Sequence, residues 1–451
     1  MKHGGATSRL ALVAISVALL VIGNLAVIPA KAVNTGSSPC VADLQTTSTV
    51  VTATYGTYCY LAFLSGTNTW TPPSNITTAS VLIIAGGGAG GAGAWAGGGG
   101  AGGIVYIAAK SLTPSTTYST SVGAGGTSGI ASITDAVANR STNGSDSWFE
   151  SSSTFVAKGG GAGASYSYGQ GSAPYSICDG SAGGSGGGAP ECNNAGYSND
   201  GGTSTQTLPA GANLYFGTAG GGTATAAYAS GGGGGGAGLP GTAVTTTQTA
   251  GAGGAGTTSF SIWLTALSSA MSGVSGWSTA TSGGYIAGGG GGSANTPGSG
   301  GSGGGGAGGN NVSATKNGVA GVTNTGSGGG GSGYASGSGL GGAGGSGIIM
   351  IRYAIPSTFN LSLAGNPTSV EYNRSITITA SITGQDGKVS FYANGKVIPG
   401  CKSKQSVSLV ATCSWKPAVH KSVTISASLV NSSTVSATPI KTFVVKRTNT
   451  R

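Results

Sequence analysis

The chain has 451 residues, of which 93 are glycine and only 6% are charged. Its formal net charge is +10, yet residues 33–353 hold five basic groups against seven acids, while residues 354–451 hold eleven against two. The glycines lack a Gly-X-Y period and proline is scarce, which excludes collagen.

The first residues read as an export leader. A short basic segment ends at Arg9, an apolar run spans Leu10 to Ile28, and Ala30-Lys31-Ala32 forms a small-x-small cleavage site. The run approaches the length of a membrane span. Gly23, Asn24 and the Ala-x-Ala site favour cleavage, so residues 1–32 are expected to be a signal peptide and Val33 the mature start. Export agrees with the six cysteines, which fall as sequence neighbours: Cys40/Cys59, Cys178/Cys192 and Cys401/Cys413. Six cysteines allow fifteen connectivities, and local pairing is the preferred one. None sits in a Cys-x-x-Cys spacing, so disulfides in an oxidising compartment are expected rather than zinc or dithiol redox chemistry.

Residues 33–59 form a lead segment, and glycine then marks the boundaries. Between residues 86 and 353 lie 82 of the 93 glycines. Plain disorder is the simplest account of such a stretch. Against it stand apolar, β-branched runs bounded by glycine at Val81–Ile84, Gly103–Ile107, Thr117–Val122 and Ile348–Tyr353, which read as strands. Trp95, Trp148, Trp263 and Trp277 also argue for order. Fixing glycine costs the most backbone entropy, so ordered runs need compensating contacts. Three-residue-per-turn helices packed side by side supply them, because only Gly or an occasional Ala permits the close approach. Residues 85–103, 231–238, 288–309 and 326–347 are long enough to belong to such a bundle.

Thr69-Trp-Thr-Pro-Pro leading through Val81-Leu-Ile-Ile84 into Ala85-Gly-Gly-Gly88 resembles the opening of the bacterial glycine-rich domain. Gly123–Gly126, Asn143–Ser147 and the closing Gly341–Tyr353 are similar to the same family. The resemblance covers about residues 60–353. It implies an all-β fold: a jelly-roll-like β-sandwich with packed polyglycine-II helices.

After Tyr353 the composition changes. A linker over residues 354–366 precedes alternating strands at Ser375–Ile382, Lys388–Ala393, Ser406–Ala411, Ser422–Leu429 and Lys441–Lys446, with Asn394-Gly395 as a hairpin turn. Val389 to Cys401, followed by Ala411-Thr-Cys-Ser-Trp-Lys-Pro417, resembles the bacterial Ig-like repeats of exported actinobacterial proteins. That resemblance implies an Ig-like β-sandwich over residues 367–451 in which Cys401 and Cys413 pair.

No catalytic set stands out. His420 is the only histidine beyond the leader and lies in a loop, whereas base, triad and zinc roles need a partnered histidine. Asp146 and Glu150 are the only close acid pair of residues 33–353. Gly-x-Gly-x-x-Gly patterns recur by composition alone, and Gly387-Lys388 and Gly395-Lys396 are each followed by Val instead of the Ser or Thr of a phosphate loop. No enzyme, cofactor or metal site is therefore expected. Leu239-Pro-Gly-Thr-Ala243 lies mid-chain without a following apolar tail, which leaves covalent wall anchoring unsupported.

The expectation is a secreted or cell-surface structural or adhesive protein. The alternative is a carbohydrate- or host-receptor-binding module that uses Tyr166, Tyr168, Tyr175, Tyr197 and Tyr215, since aromatic residues dominate binding hot spots. Ice binding is a third class, because a flat polyglycine bundle resembles an insect antifreeze architecture. Lys396, Lys402, Lys404, Lys416 and Lys421 are candidate contacts for anionic cell-wall polymers. Few aromatics interleave the lysines, so nucleic acid is not an expected partner, nor is a membrane after leader cleavage.

Overall fold

The computed structural model describes Cys40 and residues 50–73, 76–129, 140–165, 178–191, 199–223, 229–312, 315–333, 339–355, 359–365, 369–382, 387–418, 422–430 and 440–446. The expected leader lies outside them. Among the described residues, no helix is long and apolar enough to cross a membrane.

The described chain is nearly all β. One sheet has the order β1 (Val50–Tyr55), β2 (Tyr58–Phe63), β10 (Ile348–Ala354), β4 (Thr78–Ile84), β5 (Ile104–Ser111) and β9 (Leu214–Phe216), antiparallel throughout. Its centre is the pair β4–β10, which places Ile348 opposite Ile84 and Ile351 opposite Val81. Val81–Ile84 and Ile348–Ile351 are apolar at every position because both of their faces are buried. Alternate residues go to opposite sides. Leu61, Phe63, Val81, Ile83, Ile349, Ile351 and Tyr353 share a core with Trp70, Val122, Phe149 and Phe155 of a second sheet. That sheet runs β3 (Gly66–Trp70), β6 (Tyr118–Val122), β7 (Ser147–Phe149), β8 (Phe155–Ala157). The other face presents Tyr60, Leu82, Ile84, Ile104, Ile348 and Met350 to an insert carrying Phe260, Trp263, Leu264, Leu267, Met271 and Trp277.

The insert holds two short helices, α1 (Ser261–Leu267) and α2 (Trp277–Thr281). Neither was expected. Their segment is poor in strong helix formers, and α1 begins without a side-chain cap. Burial of Trp263, Leu264 and Leu267 against the sheet supplies what propensity does not.

The glycine runs are ordered and hydrogen-bonded to one another. Gly97, Gly100 and Gly103 donate to Ala164, Gly161 and Lys158; Gly98 and Ala101 donate to Gly232 and Gly235; Gly99 and Gly102 donate to Gly329 and Gly326. The facing arm repeats this: Ala85, Gly88 and Gly91 donate to Gly103, Gly100 and Gly97, while Gly87 and Gly90 donate to Gly345 and Gly342. Every third donor serves the same neighbour, so the backbone turns once per three residues. A Cβ built on Gly98 would meet the carbonyl oxygen of Gly290, and one on Gly97 that of Gly188. Only glycine fits there, and alanine occurs where its methyl finds room, as at the buried Ala96 and Ala101. The four expected runs all take part. They are joined by segments around 142–146, 158–164, 180–189, 217–223 and 250–256, which had not been singled out.

Beyond residue 355, two further sheets enclose their own core. One has the order β11 (Phe359–Leu363), β13 (Ile376–Ile382), β17 (Val410–Trp415). The other runs β12 (Ser369–Glu371), β19 (Ile440–Lys446), β18 (Ser422–Val430), β14 (Lys388–Ala393), β15 (Lys396–Val397), with β16 (Lys404–Gln405) also paired to β14. Ile378, Ala380 and Ile382 of the first meet Val389, Phe391, Val423 and Ile425 of the second. The Asn394-Gly395 turn forms as expected, with φ of 47° and 74° in the left-handed region that such turns require. The strand expected over Ser406–Ala411 is displaced: residues 406–409 form a turn, and the strand runs from Val410 to Trp415. Both stretches alternate apolar and polar residues, so periodicity alone could not separate them.

Cys40–Cys59 and Cys401–Cys413 are disulfides. Cys178 is also disulfide-bonded, and its expected partner, Cys192, lies outside the described residues. Cys413 belongs to β17 of one sheet, whereas the carbonyl of Cys401 accepts from Phe391 N–H of β14 in the other. The disulfide crosses between the sheets.

Candidate functional site

Several glycine segments converge on the turn at residues 92–96. Trp95 there has φ 47°, in the left-handed region, and is half-buried. Its carbonyl accepts from Glu191 N–H at 3.3 Å, and that of Ala96 from Ser293 N–H. Ser332 Oγ donates to the Gly93 carbonyl at 2.8 Å, and Ser165 Oγ accepts from Ala92 N–H at 3.0 Å. Glu191 is 3% exposed, and Ser230, Ser293 and Ser332 are fully buried. Burial pushes the Glu191 carboxyl above the usual carboxylate range, partly offset by a hydrogen bond to the backbone of Ala229. A buried acid is unusual in a region whose interior otherwise holds backbone, methyl groups and uncharged hydroxyl and amide side chains.

Tyr166, Tyr168, Tyr175 and Tyr197 lie outside the described residues. The residues that flank their segments, Ser165, Glu191 and Asn199, belong to this end of the glycine region: Thr223 bonds both Pro190 and Asn199. Tyr215 does not. It sits exposed in β9, paired with Val105, ten residues along the chain from Trp95. At about 3.1 Å per residue that is roughly 30 Å away. The structure therefore does not bring Tyr215 to the end where the other four segments are rooted.

The lysines of the C-terminal module are exposed but not in one patch. Lys404 lies opposite Val389, and Lys388 lies opposite Gln405. Lys396 faces Ala393 at the other end of β14, roughly 17 Å away at strand spacing. Lys416 follows Trp415, whose partner is Ile376, the first residue of β13. Lys421 lies outside the described residues. Lys388 was not among the expected contacts; the register sets it diagonal to Lys404 on the paired strand, with the two side chains on opposite faces.

Asp146 and Glu150 do not act as a pair. Asp146 accepts from Lys158 Nζ and Gly159 N–H, both at 2.8 Å, while Glu150 binds Lys110 Nζ at 2.7 Å. Lys110 also lies 5.1 Å from the Phe155 ring centroid. His420 lies outside the described residues. Among the described residues, no group of three or more His, Cys, Asp or Glu side chains could hold a metal ion. The Arg352 guanidinium lies between the rings of Tyr58 and Trp263, 4.9 and 5.1 Å from their centroids, and donates to Ser80 Oγ at 3.2 Å. It ties α1 to the end of β10, a role that only tertiary packing could reveal.

The family profile of the glycine-rich domain matches residues 63–354, more than half of the chain. The protein belongs to the glycine-rich domain family. No curated protein matches the chain.

Proposed function

We propose that this chain is a secreted or cell-surface structural and adhesive protein without catalytic activity. Its glycine-rich domain is a jelly-roll-like sandwich fused to polyglycine-II helices, and its C-terminal module is an Ig-like sandwich of the kind found in exported actinobacterial proteins. The observation that carries this reading is the threefold hydrogen-bond pattern around residues 85–103, in which each turn of backbone is bonded to several neighbours. Such a body is stiff, offers few side chains for chemistry, and suits a spacer that holds its ends apart. Disulfides support an oxidising compartment, and the exposed Lys396, Lys402, Lys404 and Lys416 supply charges for anionic wall polymers.

Fractionating cells into wall, membrane and medium tests this. The protein is expected outside the cytoplasm with a mature end of Val-Asn-Thr-Gly. A cytoplasmic chain with reduced cysteines overturns the reading.

A second reading, binding of a glycan or host receptor at the residue 92–96 end, is favoured by one observation: Trp95 is held at φ 47°, a conformation uncommon for bulky residues. Glycan-array binding lost on changing Tyr166, Tyr168 and Tyr175 to Ala would establish it; an array without signal would leave the structural role alone.

A further inference from the structure

We infer that the turn Val407–Val410 of the C-terminal module, with Lys388, Lys402 and Lys404, docks onto the headgroup region of an anionic lipid bilayer. The inference rests on the extracytoplasmic location proposed above and names what the surface meets there.

The turn carries the chain from one sheet of the module to the other. Val407 and Val410 exchange backbone hydrogen bonds of 2.9 and 3.1 Å around Ser408 and Leu409. Those two residues have φ of 52° and 65°, a left-handed conformation that disfavours residues with a Cβ. The same module uses Asn394-Gly395 where it needs this geometry elsewhere, and that pair adopts it readily. A leucine in such a turn is therefore not a folding preference. Nor does it serve the core: Val407 is 73% exposed, Val410 39% and Leu409 37%, and Val407 is the most exposed of the large apolar residues described.

Lys404 lies on the strand that leads into the turn, two residues before Ser406, Lys402 just before that strand, and Lys388 on the strand paired with it, opposite Gln405. Ser406 is tied to Gly387 by hydrogen bonds in both directions, which fixes turn and lysines together. All three lysines are exposed. Glu371, the described acid of this module, is on β12 and pairs with Arg374 at 2.9 Å; the other acid, Asp386, lies outside the described residues. A convex apolar tip backed by lysines is complementary to an anionic membrane interface, where apolar side chains reach the acyl boundary and cations stay at phosphate level. A soluble polyanion would use the lysines and gain nothing from the valines and leucine.

The test is co-sedimentation of the purified full chain with vesicles of phosphatidylcholine alone or with about one-third phosphatidylglycerol, beside a soluble polyphosphate. We expect binding to the anionic vesicles only, weakened about fivefold for each of Lys388, Lys402 and Lys404 changed to Gln. Val407→Ser combined with Leu409→Asn should weaken it about tenfold or more, yet leave polyphosphate binding unchanged. Asn accepts the left-handed conformation better than Leu, so Leu409→Asn alone should melt no lower than wild type, which separates lost docking from lost folding. Failure of the wild type to bind anionic vesicles overturns the inference, even where fractionation places the protein outside the cell. Vesicle binding unchanged in the Val407/Leu409 variant also overturns it and leaves a plain polyanion site. Concentration-dependent dimerisation abolished by the same variant overturns it in favour of a second copy.

Discussion

Trp70 and Tyr353 stack with ring centroids 6.0 Å apart and planes at 27°, one from each sheet of the glycine-rich domain. They are the Trp of the opening motif and the last residue of the closing one, nearly 300 residues apart in sequence. Tyr353 is 1% exposed and its hydroxyl has no hydrogen-bond partner among the described residues. Burial pushes its pKa up to about 12.

This has a consequence in alkali. An unfolded tyrosine ionises near 10, so between pH 10 and 12 the unfolded chain releases this proton while the folded chain keeps it. Stability is whole below pH 10 and falls as pH rises, by about 1.4 kcal/mol per unit. Urea unfolding at pH 9 and 11 should show a loss of roughly 1–1.5 kcal/mol in wild type beyond that in Tyr353→Phe. Equal losses in the two proteins would mean that Tyr353 ionises freely in the fold.

The glycine lattice makes a sharper demand. Gly98 is buried, and any Cβ there runs into the backbone of Gly290 and Gly291, which cannot move without breaking its own hydrogen bonds. Gly98→Ala should cost about 3 kcal/mol or more, as overpacking of a rigid core does. Gly273→Ala, where a Cβ meets nothing within 4 Å, should be neutral or stabilise by about 0.5 kcal/mol. Thermal melts of both variants check this, and amide exchange should find Gly97–Gly103 among the slowest sites. A Gly98→Ala protein that melts like wild type would remove close packing as the reason for the glycines.

The glycine-rich domain was largely legible because its signals are local. Apolar runs such as Val81–Ile84 and Ile348–Tyr353 had to be strands, and glycine runs had to pack to offset their entropy. Which run bonds to which was not legible: Gly98 and Gly232 carry no side chain by which to recognise each other. The helical insert escaped notice because Ser, Thr and Gly around Trp263 and Trp277 hide a pattern that only burial on the sheet makes stable. The candidate site was the least legible part. Tyr215 was grouped with the other tyrosines by composition, and β9 separates it from the flanks of their segments. Lys388 gives no sign in the sequence that pairing sets it opposite Gln405, diagonal to Lys404.

Glu191 provides a readout of the residue 92–96 end. Its carboxyl is raised chiefly by burial, so the folded state favours the protonated form. The stabilising contribution is whole below the unfolded pKa of about 4.3 and is lost as pH rises through the folded value. Glu191→Gln keeps the shape without the charge. Its stability should depend less on pH between 4 and 7 than that of wild type, and should exceed it at pH 7. Chemical denaturation at the two pH values decides; a variant less stable at pH 7 would show the ionised form to be held by partners that outweigh burial.

The last prediction concerns Cys401 and Cys413. Their Cα atoms are 5.6 Å apart, and the bridge fastens β17 of one sheet to the turn that backs β14 in the other. The closed loop is short, with a sequence separation of 12, so chain entropy alone gives roughly 2–3 kcal/mol. Because both cysteines belong to the core shared by the two sheets, the loss of the bridge also frees the sheets to separate, an effect a bridge within one hairpin would lack. Replacing both cysteines by Ala in the full chain should lower the melting of this module by about 10–20 °C, given 4–8 °C per kcal/mol for a domain of this size. Mild reduction of wild type should reproduce the shift, and reduction of the double variant should add nothing at this transition. Calorimetry that shows the module melting unchanged, or peptide mapping that joins Cys401 to Cys178, would show that the two sheets are not held together by this bond.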